Sequence, residues 1–203
     1  MKITTLVLIL FIAIMVFFLV MRYFRLKRDA KDSVGLADAY RSGDFDTYLA
    51  IINKQIESAP SAKDKNILAT LKIQAYLQKH DWAKMDALKK QVDMKKLPKD
   101  IRLTFLCHYI TGLFLSERSD AAASFLKSNQ NFLKEGEGNS RYQLYLDGFR
   151  AFSSFYQGNF DKAKTQFEAL KKAPGSNDFY RKVYDDYLHR IADETNHELS
   201  SES

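Results

Sequence analysis

The chain is 203 residues long and carries 31 Lys and Arg against 25 Asp and Glu, a formal net charge of +6. The imbalance is local: residues 1 to 28 hold five basic side chains and no acidic one, which leaves 26 against 25 over the remainder. A basic face that tracks phosphates is therefore excluded, no nucleic-acid partner is expected, and a single cysteine, Cys107, rules out an internal disulfide.

The first predicted element is Ile3 to Met21, nineteen residues without a charge in which only Thr4 and Thr5 are polar. As a helix it would rise roughly 28 Å, close to the hydrocarbon thickness of a bilayer. A cleaved secretory signal has a shorter apolar stretch and small residues at the cleavage site. Here the run leads instead into Met21-Arg22-Tyr23-Phe24-Arg25. Residues 1–24 are accordingly expected to form a transmembrane anchor, and 25–33 a basic juxtamembrane linker. Arg22, Arg25, Lys27, Arg28 and Lys31 flank the run on its C-terminal side, whereas only Lys2 and the terminal amine precede it. That bias predicts a single-pass protein whose C-terminal domain faces the cytoplasm, with the bilayer itself as a partner.

From residue 34 to 195 the apolar spacing is helical throughout, and no alternating run is long enough for a strand. The predicted fold class is all-α, with helices of roughly 12 to 18 residues divided by Gly43, Ala59-Pro60-Ser61, His80-Asp81, Leu97-Pro98, Ser116 to Asp120, Gly136 to Ser140, Gly158 and Pro174-Gly175-Ser176. Three of the breaks share a pattern: Gly43-Asp44-Phe45-Asp46, His80-Asp81-Trp82-Ala83 and Gly158-Asn159-Phe160-Asp161. Each combines a residue tolerant of left-handed backbone, a side-chain oxygen able to cap the next helix, and an aromatic that can pack across a hairpin. A degenerate fourth copy is expected within Ser116 to Ala123. The spacing, 37 positions and then 78, or two steps of 39, lies near the period of helical-hairpin repeats.

On these residues the chain resembles the tetratricopeptide repeat family over about residues 34 to 195. The last unit carries Gly158, Asn159, Phe160, Asp161, Ala163, Phe167 and Pro174, with small Ala151 on its first helix. The first keeps Gly43, Asp44, Phe45 and Pro60; the second Tyr76, Asp81 and Trp82, with His80 replacing the turn glycine and Met85 the small residue; the third offers Gly112. The resemblance implies about four repeats closed by a capping helix over Ser176 to Glu194, where Phe179, Val183, Tyr187 and Ile191 fall on one face. Residues 196–203 are polar and are expected to form a flexible tail.

Proteins of that family, as the resemblance implies, are scaffolds that hold a peptide or a partner helix. Twelve of the 27 aromatic residues lie between 142 and 187. Tyr145, Phe149, Phe152 and Tyr156 recur at helical spacing, so most of this stripe is expected to be core. Phenols can keep a hydroxyl wet, and Tyr145, Tyr156, Tyr180 and Tyr184 are the expected protein-binding residues. Arg141, Arg150, Arg181 and Lys182 are candidate basic groove residues, with Asp147, Asp185 and Asp186 as acidic counterparts. The family's clamp for a C-terminal carboxylate needs Lys, Asn and Arg along the first helices, and that set cannot be placed.

Catalytic chemistry is poorly represented. His189, Asp193 and His197 follow one another at i, i+4, but no further ligand accompanies them and no metal or cofactor is expected. Cys107 reads as a small core residue, and neighbouring His108 points elsewhere on a helix. Gly136-Glu137-Gly138-Asn139-Ser140 lacks the lysine and the strand of a phosphate loop. The expectation is a non-enzymatic, membrane-anchored scaffold with a protein or peptide partner. The alternative is a structural accessory subunit of a membrane complex, with the anchor part of the assembly.

Overall fold

The computed structural model describes residues 34–201, with side chains as far as Thr195. The expected anchor, the flanking Arg22, Arg25, Lys27, Arg28 and Lys31, and the topology read from them lie outside the described residues. No helix among those described is long and apolar enough to cross a membrane. All described elements are helical and none is a strand, as the spacing of apolar residues predicts. The chain divides between Ser58 and Ala59 into two compact units.

In the first unit, α1 (34–42) and α2 (Phe45–Ser58) form a hairpin about Gly43. The Tyr40 ring meets Phe45 and Tyr48 across the turn, the aromatic closure expected of Gly43-Asp44-Phe45. The Asp44 carboxylate caps α2 by accepting from the Thr47 amide at 3.0 Å.

The second unit holds α3 (Ala62–Thr70), α4 (Lys72–Gln78), α5 (Trp82–Gln91), a short 3-10 turn (Met94–Lys96), α6 (Lys99–Leu115), α7 (Ser119–Ser128), α8 (Gln130–Lys134), α9 (Ser140–Tyr156), α10 (Phe160–Lys172) and α11 (Asp178–Ser201). Several helices depart from the expected 12 to 18 residues. One irregular residue, Leu71, separates α3 from α4, and Asn129, whose side-chain amide donates to the Phe125 carbonyl, separates α7 from α8. At the other extreme α11 spans 24 residues and continues to Ser201, past Thr195, where polar composition suggested that order would end.

Packing follows the chain. α4 lies on α5 and α6, α6 on α7 and α9, α9 on α10, and α10 on α11. This is an array of helical hairpins in which each mainly touches its neighbours. Its centre is α6, which buries Leu103 and every residue from Phe105 to Phe114. Gly112 on α6 permits the approach of α5, since a Cβ there would sit 2.5 Å from Met85 Cε. Phe105, Phe114, Phe152 and Phe167 are almost wholly enclosed, each contributing about 1.5–3 kcal/mol of apolar burial. The connector after α5 is pinned by a reciprocal pair: Asn66 Nδ2 donates to the Asp93 carbonyl and the Asp93 amide donates to Asn66 Oδ1, both at 2.9 Å.

The repeat is sharper in the backbone than in the sequence. Among the described residues, four outside the glycine-rich 136–140 and 174–176 connectors have positive φ: Gly43 (75°), His80 (54°), Glu117 (61°) and Gly158 (75°). After each, the next amide reaches back five residues, from Asp44 to Ala39 (2.9 Å), Asp81 to Tyr76 (2.9 Å), Arg118 to Leu113 (3.0 Å) and Asn159 to Ser154 (2.9 Å). This is the Schellman closure of a helix C-terminus, made four times. The degenerate turn is thereby centred on Glu117, and the steps become 37, 37 and 41 positions. Five residues after each turn stands a buried side chain: Tyr48, Met85, Ala122 and Ala163. Capping is less uniform than expected. Asp81 caps α5 through the Lys84 amide, but Asn159 makes no side-chain cap.

Candidate functional site

The first helices of successive hairpins, together with α11, enclose a cavity of about 590 Å³ within the second unit. Its wall includes Gln74 of α4, Thr104, His108 and Thr111 of α6, Tyr145, Gly148 and Phe152 of α9, and Tyr180 and Tyr184 of α11. The mouth is formed by Ser140, Arg141 and Leu144 at the start of α9 and by Pro174 to Asn177 leading into α11. Gln74, Thr111 and Phe152 each stand six positions before their own turn residue, and Thr104 and Tyr145 thirteen before theirs. The repeat register thus delivers equivalent positions to one surface.

The structure brings three of the four expected contact tyrosines to this cavity and places the fourth elsewhere. The Tyr145 hydroxyl shares a hydrogen bond with His108 Nε2 at 3.1 Å, and its ring meets the Tyr180 ring edge-on at 5.6 Å. The Tyr180 hydroxyl is enclosed near Tyr145 and Thr111 but in hydrogen-bonding geometry to neither. Burial raises its pKa well above the ordinary phenol value, with further upward contributions from the adjacent phenols. Tyr184 is only 3% exposed, so most of its ring is core. Tyr156 points away from the cavity. Its hydroxyl donates to the Phe114 carbonyl at 2.8 Å and stands 2.9 Å from the Tyr187 hydroxyl, which itself reaches the same carbonyl at 3.2 Å. Phe149, Phe152, Phe155 and Phe167 are buried, as the helical spacing predicts.

His108 is the polar centre of the wall. The Gln74 side-chain amide lies 3.5 Å from His108 Nε2, the same ring nitrogen that the Tyr145 hydroxyl approaches. Burial is the dominant influence on the imidazole and pushes its pKa down to about 4, with only partial offset from the Thr104 carbonyl. The ring is thus neutral at ordinary pH. Cys107, adjacent in sequence, faces a different way and is fully buried, its thiol pushed up to about 12 by desolvation.

Charge at the cavity is one-sided. Of the four candidate basic residues, Arg141 alone lines it, and Arg141 has no ion pair among the described residues. Arg150 is held by Asp147 at 2.6 Å, and Arg181 lies 3.4 Å from Asp178. Asp185 pairs with Lys171 of α10. No acidic side chain lines the cavity.

Neither a protein family nor a curated protein nor a solved structure matches this chain. Its chemistry is read from the residues alone. No cluster of His, Cys, Asp and Glu able to hold a metal occurs among the described residues, and the His197 side chain lies beyond them. Sequence reasoning missed Gln74, Ser176 and the part played by His108. The signal that finds Gln74 is the repeat register, available once the third turn is placed at Glu117. Ser176 carries no such signal, since it belongs to a connector.

Proposed function

We propose that the protein is a membrane-anchored, tetratricopeptide-like scaffold that receives a segment of a partner protein on the face made by its first helices. The observation that carries this reading is the cavity. It is built from equivalent positions on three successive hairpins, it is lined by aromatic rings and hydroxyls, and its size lies in the range of ligand sites. The uncharged run from Ile3 to Met21 and the basic flank after it support anchoring, with the domain on the cytoplasmic side. Confinement to the bilayer would raise the local concentration of the surface, so that weak contacts suffice for recruitment.

The test is a photo-crosslinker at Leu144, which lines the mouth of the cavity and is half-exposed, in the full chain in native membranes. Exposed Lys164 on α10 serves as the control position. The expected result is a discrete partner captured at Leu144 and not at Lys164. Equal adducts at both positions, or none, would remove the scaffold reading. Capture of an envelope-side protein would reverse the topology.

A further inference from the structure

The cavity combines four features that bear on what enters it. Its only charged side chain is Arg141, which has no ion pair among the described residues; Asp147 and Asp178 lie outside the lining and are tied to Arg150 and Arg181, and Asp100 lines only the adjoining pocket that Arg141 also borders. Two long helices begin at its mouth: Ser140 and Arg141 open α9, and Asn177 caps α11 by accepting from the Tyr180 amide at 3.0 Å. Helix starts present the positive end of the backbone dipole. Ser176, 6% exposed and part of the same wall, has a hydroxyl with no hydrogen-bond partner. Leu144, Phe152 and Pro174 supply an apolar lining beside these groups.

We infer that this cavity takes the side-chain carboxylate of an aspartate or glutamate presented by the partner segment, its oxygens facing Arg141 and the α9 and α11 starts and its methylene stem against Leu144 and Pro174. The inference rests on the scaffold reading and narrows it to an acidic segment. A single arginine with two helix starts matches a monoanion. A phosphate dianion would call for a second cation or a glycine-rich nest, and the wall has neither. The neutral imidazole of His108 and the absence of acidic side chains leave nothing in the wall to repel the carboxylate. Gly148 keeps the interior open, since even an added Cβ there would come only to 3.6 Å from the Tyr184 hydroxyl.

The experiment uses the full chain in lipid nanodiscs, labelled with 3-fluorotyrosine and observed by fluorine NMR at pH 7.5. The probes are 4-phenylbutyrate and its uncharged amide, and the Tyr145 and Tyr180 resonances are assigned from their Phe variants. The expected result is a saturable shift of both resonances, with a midpoint about five-fold or more lower for the acid than for the amide. Arg141→Gln should abolish that preference and Arg141→Lys should retain part of it. An unmoved Tyr187 resonance reports that each variant is folded. Equal midpoints, no saturable shift, or a preference intact in Arg141→Gln would overturn the inference. A partner captured at Leu144 without an acid preference leaves the scaffold and removes the carboxylate. An acid preference with no captured partner overturns the assignment to a protein segment and makes the cavity a site for free acids.

Discussion

Two groups of tyrosines, built from the same two helices, have opposite fates. At one end Tyr156 of α9 and Tyr187 of α11 converge on the Phe114 carbonyl in the last turn of α6, which the Glu117 amide also reaches at 3.0 Å. Each hydroxyl has a partner; the Tyr156 ring stacks on Phe114, and the Tyr187 ring meets Phe152 and Phe155 edge-on and Phe167 at a tilt. At the other end Tyr145 of α9 and Tyr180 of α11 stand at a cavity wall, and the Tyr180 hydroxyl is enclosed without a hydrogen bond. A phenol that finishes a helix C-terminus joins three helices. A phenol left incomplete beside open space contributes no hydrogen bond to offset the burial of its hydroxyl.

The largest expected effect breaks the closed junction. Phe167→Ala removes a fully buried ring in contact with Phe152, Tyr184 and Tyr187 and leaves a cavity, at a cost of about 3–5 kcal/mol. Chemical denaturation of the full chain in nanodiscs, followed by Trp82 fluorescence, would measure it. A loss under 1 kcal/mol would show that the junction is not packed as described.

The second effect probes the open wall through pH. The folded pKa of His108 is about 4 against an ordinary value of 6.5, so between these values the unfolded chain binds a proton that the folded chain does not. Stability should therefore rise with pH across this window and be lost as pH falls from about 6.5 toward 4, by an amount on the order of 3 kcal/mol. Denaturation of wild type and His108→Gln at pH 7, 5.5 and 4.5 isolates the imidazole's contribution, because the carboxylates titrate in both. Parallel acid limbs would mean that the imidazole is reached by water.

The third compares hydroxyls one against one. Tyr187→Phe should cost about 1–2 kcal/mol, since it removes a donor to Phe114 and a partner of Tyr156. Tyr180→Phe should change stability by less than about 0.5 kcal/mol or raise it, since that hydroxyl gives nothing up. Equal losses in both variants would erase the distinction between the two ends.

How much of this was legible beforehand depends on which physical property each residue expresses. The all-α class and the phenylalanine core could be read because helical apolar spacing records burial directly. Gly43, His80 and Gly158 could be read because their residue types, or a neighbouring capping oxygen, advertise the turn. Glu117 could not, since nothing about glutamate favours left-handed backbone; only the hydrogen bonds from Glu117 and Arg118 reveal it. The turn is expected within Ser116 to Ala123, but without its central residue the register that makes Gln74, Thr111 and Phe152 equivalent, and gives Ala122 the same buried position as Ala163, is not fixed. Tyr156 and Tyr145 differ in no local property. Position along the helix relative to the end of α6 decides which meets a carbonyl and which meets a cavity.

The smallest effect sharpens the closed end through that same glutamate. Glu117 adopts φ 61°, where a side chain is strained and glycine is not. Its amide bond to Phe114 depends on the backbone alone, so Glu117→Gly preserves it. The side chain contributes one contact, an ion pair with Arg190 at 3.2 Å between well-exposed groups, of the kind that adds little. Relief of left-handed strain should outweigh that loss and the added freedom of the unfolded chain, giving a net gain of about 0.5 kcal/mol. A gain measured alongside Tyr187→Phe would show that the turn and the phenols act on the Phe114 carbonyl independently. A loss of 1 kcal/mol or more would instead place the Glu117 side chain, through Arg190 stacked on Phe155 and Tyr187, among the groups that close the junction.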